Sequence, residues 1–234
     1  MQMTIGILAA MREELAPFLG LGTWEESEAL LGRAVYTKAA TYGDDENKPI
    51  AVKLVLTLCG VGKVRAAAAT QALIDRYHPH LILNIGTAGG LRDEIKIGDI
   101  VVTRRQFQHD SQLWERYCCD AHPGLSQLLF EQLSQQYRTH QGNGCAGDMF
   151  QTDRQEKLRL AEKFDAHCVD MESAAIADTC AVNQVPFCVI RSISDALEGA
   201  MNEFEQNYQQ VSQLVARAVM PLIGKLAGAL TLDE

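Results

Sequence analysis

The sequence predicts an α/β fold, a single domain over residues 1–234 with a largely parallel central sheet, on three observations. Short apolar, β-branched runs alternate with helical patterns along the chain, the alternation that builds strand–helix–strand units. Several of those runs are apolar nearly throughout, as a sheet covered on both faces requires. The 234 residues show no internal repeat, low-complexity tract or linker, and they can bury a sizeable core.

The elements follow in order. "TIGILAA" (4–10) is the first strand: the N-terminal "MQMTIGILAAM" is apolar but lacks the basic start of a signal peptide and runs directly into "REEL". Further strands are predicted at "RAVYTKA" (33–39), "IAVKLVLTL" (50–58), "LILNIG" (81–86), "DIVVTRR" (99–105), "HCVD" (167–170) and "PFCVIRSI" (186–193). Helical spacing and good helix formers mark 62–77, 123–137, 154–164 and 172–183, and a long amphipathic helix covers 203 to 229. "YGDDENKP" (42–49) reads as a hairpin turn or surface loop, and 106–122, without a clean period, as a long loop near a site.

A formal charge of −9 argues against nucleic acid or an anionic membrane as partner. No apolar run approaches the ~20 residues of a membrane helix. Seven cysteines without C-x-x-C spacing read as reduced, buried thiols of a cytoplasmic protein.

In α/β sheets ligands gather beyond the carboxyl ends of strands. Glu13 and Glu14 follow the first strand, "CGVGK" the third, "TAGG" the fourth, "MES" the sixth and "SDALEG" the last. Taken singly, each acid reads as well as a helix cap, where carboxylates meet the positive end of the dipole. Each glycine segment reads as a tight turn, since neither matches a phosphate-loop template, and Met171 and Phe150 read as core. Acids at three strand ends along one edge of a sheet point instead to chemistry. Metal binding and a nucleophilic triad find little support. His109-Asp110 has no further ligands at metal-site spacing, Cys59 has no indicated base, and no G-x-S-x-G occurs.

These strand ends resemble the 5'-methylthioadenosine/S-adenosylhomocysteine nucleosidases of the nucleoside phosphorylase superfamily. The likeness runs through "IGILAAMREEL", "CGVGKVRAAAATQ", "LNIGTAGGL", "KIGDIVV", "GDMF", "VDMESAAIA" and "VIRSISD", in family order. It implies a mixed, partly barrel-like central β-sheet surrounded by helices, a homodimer, a purine nucleoside as small-molecule partner, and no metal or organic cofactor. By matched position Glu14 is the base that activates water, and Asp195, steadied by Ser194, assists protonation of the purine N7. Glu172 holds the ribose hydroxyls, with Met171 against the sugar. Phe150 stacks on the purine, and the backbone of Gln151 reads its edge. Thr87, Ala88 and Gly89 line the pocket beside Val61 and Met11, and Phe204 closes it, with Tyr208 as a rival. Asp170 is left a structural part, such as a cap. Asn84 stands where related phosphorylases carry a phosphate-binding arginine, which favours water as nucleophile. The segment "HDSQLWERYCCDAHPGL" departs from the family pattern. Leu113, Trp114 and Tyr117 there are candidates for an apolar lid over the 5' substituent. A different 5' preference (5'-deoxyadenosine, futalosine), phosphorolysis, or a catalytically silent nucleoside binder are the alternatives.

Overall fold

The computed structural model describes residues 2–43, 49–113, 118–199 and 201–231. In chain order the elements are β1 (Gln2–Ala9), α1 (Arg12–Leu19), β2 (Glu25–Leu30), β3 (Arg33–Tyr42), β4 (Ile50–Leu58), α2 (Lys63–Tyr77), β5 (Leu81–Gly90), β6 (Ile100–Gln108) and β7 (Cys118–Asp120). They continue with α3 (Pro123–Leu133), β8 (Thr139–Ala146), α4 (Arg154–Phe164), β9 (Ala166–Asp170), α5 (Ser173–Val182), β10 (Phe187–Asp195), α6 (Met201–Val219) and α7 (Ile223–Leu230). A 3₁₀ turn at Met220–Leu222 separates the last two, so the long C-terminal helix is interrupted where Pro221 cannot donate a backbone hydrogen bond.

The sheet is mixed rather than largely parallel. β1 pairs in parallel with β4 and β5, β5 with β10, and β8 with β6 and β9. The pairs β10–β6, β5–β9, β2–β3, β3–β4 and β6–β7 are antiparallel. β5 is the branch point. Leu81–Asn84 pair with β1, Gly89–Gly90 pair with β9, and the opposite edge pairs with β10 along its length. The five strands β5, β10, β6, β8 and β9 thereby close into a small barrel, from which β1, β4, β3 and β2 extend as an arm.

Three strands were not foreseen. β2 (EESEAL) is a mostly exposed edge strand, β8 (THQGNGCA) is polar and twice interrupted by glycine, and β7 has three residues. None carries the apolar run that marks a strand in sequence. The expected loop over 106–122 is shorter than predicted, because Gln106–Gln108 continue β6 and Cys118–Asp120 pair with it. Trp114 and Tyr117 lie outside the described residues. β3 and β4 pair antiparallel with Tyr42 opposite Ile50, as the hairpin alternative for 42–49 requires, and residues 44–48 lie outside the described residues.

Apolar layers cover both faces. On one, α1, α3, α6 and α7 bury Leu15, Phe18, Leu125, Leu129, Val215 and Leu226 against Ile5, Ile7, Leu54 and Leu83. On the other, Ala66, Ala69 and Leu73 of α2 and Ile176 and Cys180 of α5 meet Leu8, Val55 and Val189. Contrary to the expectation from sequence, the helical stretch Met201–Leu230 is long and apolar enough to cross a membrane, but half of its apolar window is buried within this core.

Candidate active site

The carboxyl ends of β1, β5, β9 and β10 meet the β4–α2 turn and the start of α6 around a cavity. All thirteen residues predicted for the site line it: Met11, Glu14, Val61, Thr87, Ala88, Gly89, Phe150, Gln151, Met171, Glu172, Ser194, Asp195 and Phe204. Ala10, Met149, Val169 and Asp170 complete the wall.

Glu14 sits in the first turn of α1, 3% exposed. One carboxylate oxygen accepts from the backbone N–H of Ala10 (2.9 Å) and Met11 (3.0 Å), and the other from Thr87 N–H (2.8 Å) and Thr87 Oγ1 (3.1 Å). Burial raises its pKa, and the hydrogen bonds and the nearby Arg191 pull it back. Gly86 makes the approach possible, since a β-carbon there would lie 2.5 Å from the Glu14 carboxylate. The "GTAGG" segment is thus the buried end of β5 rather than the tight turn its glycines suggested.

The β4–α2 connection is a true turn. Gly60 and Gly62 have φ of 79° and 93°, a region that favours glycine, and Gly62 N–H donates to Glu172 Oε1 at 2.8 Å. Glu172 is 6% exposed, and burial first, then the charge of Asp170, pushes its carboxyl up to about 8. Asp170 has the capping position expected of it. Its Oδ1 accepts from Glu172 N–H (2.9 Å) and Ser173 N–H (2.8 Å) at the start of α5. Its Oδ2 also pairs with Arg191 Nε at 2.8 Å, and Arg191 further donates to the side chain and carbonyl of Asn84. Arg191, 2% exposed, lies beneath Glu14 and Glu172 as a buried counter-charge.

Asp195 ends β10, 1% exposed. Ser194 Oγ donates to Oδ1 at 2.9 Å, and Lys157 of α4 donates to Oδ2 at 2.8 Å. Burial raises the Asp195 pKa against the pull of Lys157 and Ser194. A β-carbon on Gly89 would lie 2.8 Å from Oδ2, so the second glycine of β5 makes room for this carboxylate. Above the cavity the Phe150 and Phe204 rings meet edge-on at 5.4 Å, and Tyr208 stacks on the outer side of Phe204 at 5.1 Å. Of the two rivals, Phe204 lines the cavity and Tyr208 backs it.

Sequence reasoning missed Lys157 and Arg191. Arg191 had a signal, since a guanidinium inside the apolar run "CVIRSI" must find a buried anion. Lys157, in the polar helix "RQEKLRL", looked like any solvated lysine. Among the described residues no group of three His, Cys, Asp or Glu side chains could hold a metal ion. Burial raises the Cys59 thiol well above its ordinary pKa, which fits core packing.

A mixed α/β sheet whose strand ends bring Glu14, Asp170, Glu172 and Asp195 around one cavity defines the class. The family model described as the phosphorylase superfamily matches residues 4–224. Among known proteins, the 5'-methylthioadenosine/S-adenosylhomocysteine nucleosidase of Actinobacillus succinogenes is 31% identical over 96% of this chain and 100% of its own length. That of Maridesulfovibrio salexigens is 32% identical over 96% and 100%. A crystal structure of the Helicobacter pylori 5'-methylthioadenosine/S-adenosylhomocysteine nucleosidase, with a bound small molecule, superposes with a TM-score of 0.84 at 27% identity, over 95% of this chain and 98% of that one. The futalosine hydrolase of Helicobacter pylori gives 0.81 at 28%, over 97% of each chain. The chain belongs to the 5'-methylthioadenosine/S-adenosylhomocysteine nucleosidase family, and it is an enzyme, a hydrolase of nucleoside N-glycosidic bonds.

Proposed function

We propose that the protein hydrolyses 5'-methylthioadenosine and S-adenosylhomocysteine to adenine and the corresponding thioribose. The observation that carries this reading is the convergence of Glu14, Glu172 and Asp195 on one cavity beside Phe150. Breaking the bond between the anomeric carbon and N9 leaves positive charge on the ribose and sends the electron pair to the base. Asp195 delivers a proton to N7, so adenine departs neutral. Glu14 takes a proton from water as the water oxygen bonds to the anomeric carbon, and Glu172 hydrogen-bonds the ribose hydroxyls beside the developing cation. An acid and a base on opposite sides of one bond, with room for water between them, follow the inverting glycosidase plan.

Glu14 already accepts four hydrogen bonds, all that a carboxylate has sites for. Three come from fixed backbone amides. The Thr87 hydroxyl alone can rotate, and it cedes its place to the attacking water and then orients it. Phe150 stacks on the purine and Phe204, edge-on to it, closes the pocket, Gln151 reads the purine edge, and Met11, Val61, Met171 and Ala88 provide the apolar wall.

No lysine or arginine is among the described cavity-lining residues, and the buried Arg191 is engaged by Asp170 and Asn84. A phosphate nucleophile would lack the cation it needs. The likeness to a futalosine hydrolase supports a second reading, the same chemistry with another 5' group. We assign a homodimer and a cytoplasmic location as parts of the proposal, the former tested by light scattering of the purified chain. Adenine release from methylthioadenosine, adenosylhomocysteine, 5'-deoxyadenosine, adenosine, inosine and futalosine, with and without phosphate, separates the readings. Phosphate-independent cleavage of the first two is expected. Preference for futalosine would select the second reading, and strict phosphate dependence would reject hydrolysis.

A further inference from the structure

Lys157 has no part in the chemistry just described, yet it is fully buried. Its ammonium carries three N–H groups, and each has an acceptor: Asp195 Oδ2 at 2.8 Å, Ala196 O at 2.9 Å and Gly199 O at 3.0 Å. A neutral amine has one N–H fewer and would leave one of these buried acceptors unpaired. The geometry is that of an ammonium with all three donors engaged, reached from α4 through the back of the site. Its three partners are the acid itself and two carbonyls of the turn that leads into α6 and Phe204.

We propose that Lys157 is a positioning residue for the reaction, holding Asp195 as a titratable carboxylate aimed at the base and tying it to the 196–199 turn. The proposal rests on the nucleosidase reading above for its catalytic meaning. Around Asp195 the ionisable groups pull in opposite directions. From α4, Lys157 favours the carboxylate, and from β10 the Ser194 hydroxyl does the same. From α6, Glu203 favours the protonated form, as does burial in the cavity wall. Glu203 also accepts from Ala196 N–H at 2.7 Å, so the same short turn is gripped from both sides by opposite charges. Without Lys157, burial and Glu203 are opposed by the Ser194 hydroxyl alone. The Asp195 pKa then rises further, and the group becomes a weaker acid towards N7. An effective general acid has its pKa near the working pH, and Lys157 is the one cation facing Asp195 among the described residues that can bring it there.

The test follows the Asp195 carboxyl itself, by carbon-13 NMR of protein labelled at aspartate carboxyl carbons, with the resonance assigned by its loss in Asp195→Asn. Lys157→Met keeps the apolar stem, Lys157→Gln is a second neutral variant able to donate to Asp195, and Lys157→Arg keeps the charge. The Asp195 midpoint is expected to rise by about one pH unit or more in both neutral variants and to stay near the wild-type value in Lys157→Arg. In parallel, the alkaline limb of kcat/KM should move to higher pH in the neutral variants, because activity requires the protonated acid and is lost as pH rises through its pKa. An unmoved midpoint in both neutral variants, or a rise in Lys157→Arg equal to theirs, overturns the proposal and leaves Lys157 a packing residue. The titration needs no turnover. A wild-type protein that cleaves no nucleoside would therefore sink the functional reading, while the midpoints would still decide whether Lys157 sets the Asp195 titration.

Discussion

Glu14 and Asp195 are both buried carboxyls with raised pKa values, and their neighbours make their substitutions behave differently. Glu14 is surrounded by donors from Ala10, Met11 and Thr87. In Glu14→Gln the amide NH₂ must face one of those N–H groups, costing about 1–3 kcal/mol. Turnover should fall by about 10²–10⁴-fold with the loss of the base, and the variant should remain folded by circular dichroism. Asp195→Asn should lose turnover by a similar factor, but it also strands the Lys157 ammonium in the interior. Breaking a buried pair costs about 3–5 kcal/mol, so its denaturation midpoint should drop further than that of Glu14→Gln. Near-full activity in either variant on the preferred nucleoside would remove that residue from the mechanism. The place of Glu14 and Asp195 in the cavity wall was legible because each stands where a strand hands over to a helix, and the roles proposed for them came from the family resemblance. Lys157 was not, because nothing in "RQEKLRL" says which of its charged side chains turns inward.

At the scale of elements, β5 carries the site because it has glycine where two carboxylates need space. A methyl group at Gly89 would press on Asp195 Oδ2, so Gly89→Ala should lower kcat by about 10²-fold through displacement of the acid. A loss in KM alone would show that the carboxylate yields without losing its aim. The α6 aromatics act on binding instead. Phe204→Ala should raise KM about tenfold for the loss of the ring that closes the pocket, whereas Tyr208→Ala, behind that ring, should change it by less. Equal effects would mean that the stack works as a single unit. Central strands such as β4 and β5 were legible because their apolar runs state their burial. β2 and β8 were not, since an exposed edge and a glycine-broken strand owe their form to neighbours already in place. The mixed pairing was likewise hidden. Alternation of strands with helices suggests parallel pairs, but it does not say that β6 runs antiparallel to β10, the pairing through which the barrel closes.

For the molecule as a whole, the site sets how stability varies with pH. Burial raises the pKa of Glu14, Glu172 and Asp195 together, so the folded protein retains protons that the unfolded chain releases above about pH 4.3. The folded state binding more protons means that stability is full below that value and is lost as pH rises through the folded pKa, which for Glu172 is about 8. The net charge of −9 adds a repulsion of the same sign, so the wild-type slope alone cannot identify its source. Glu172→Gln can, because it removes the titrating group and alters the net charge by one at most. Between pH 5 and 8 the variant should gain on the wild type by up to about 1.4 kcal/mol per pH unit, read from urea midpoints across the range. Curves that run parallel would mean that Glu172 is already ionised in the folded protein. The Gly62 amide and Arg191 would then outweigh burial and Asp170, and the ribose would meet a carboxylate from the outset.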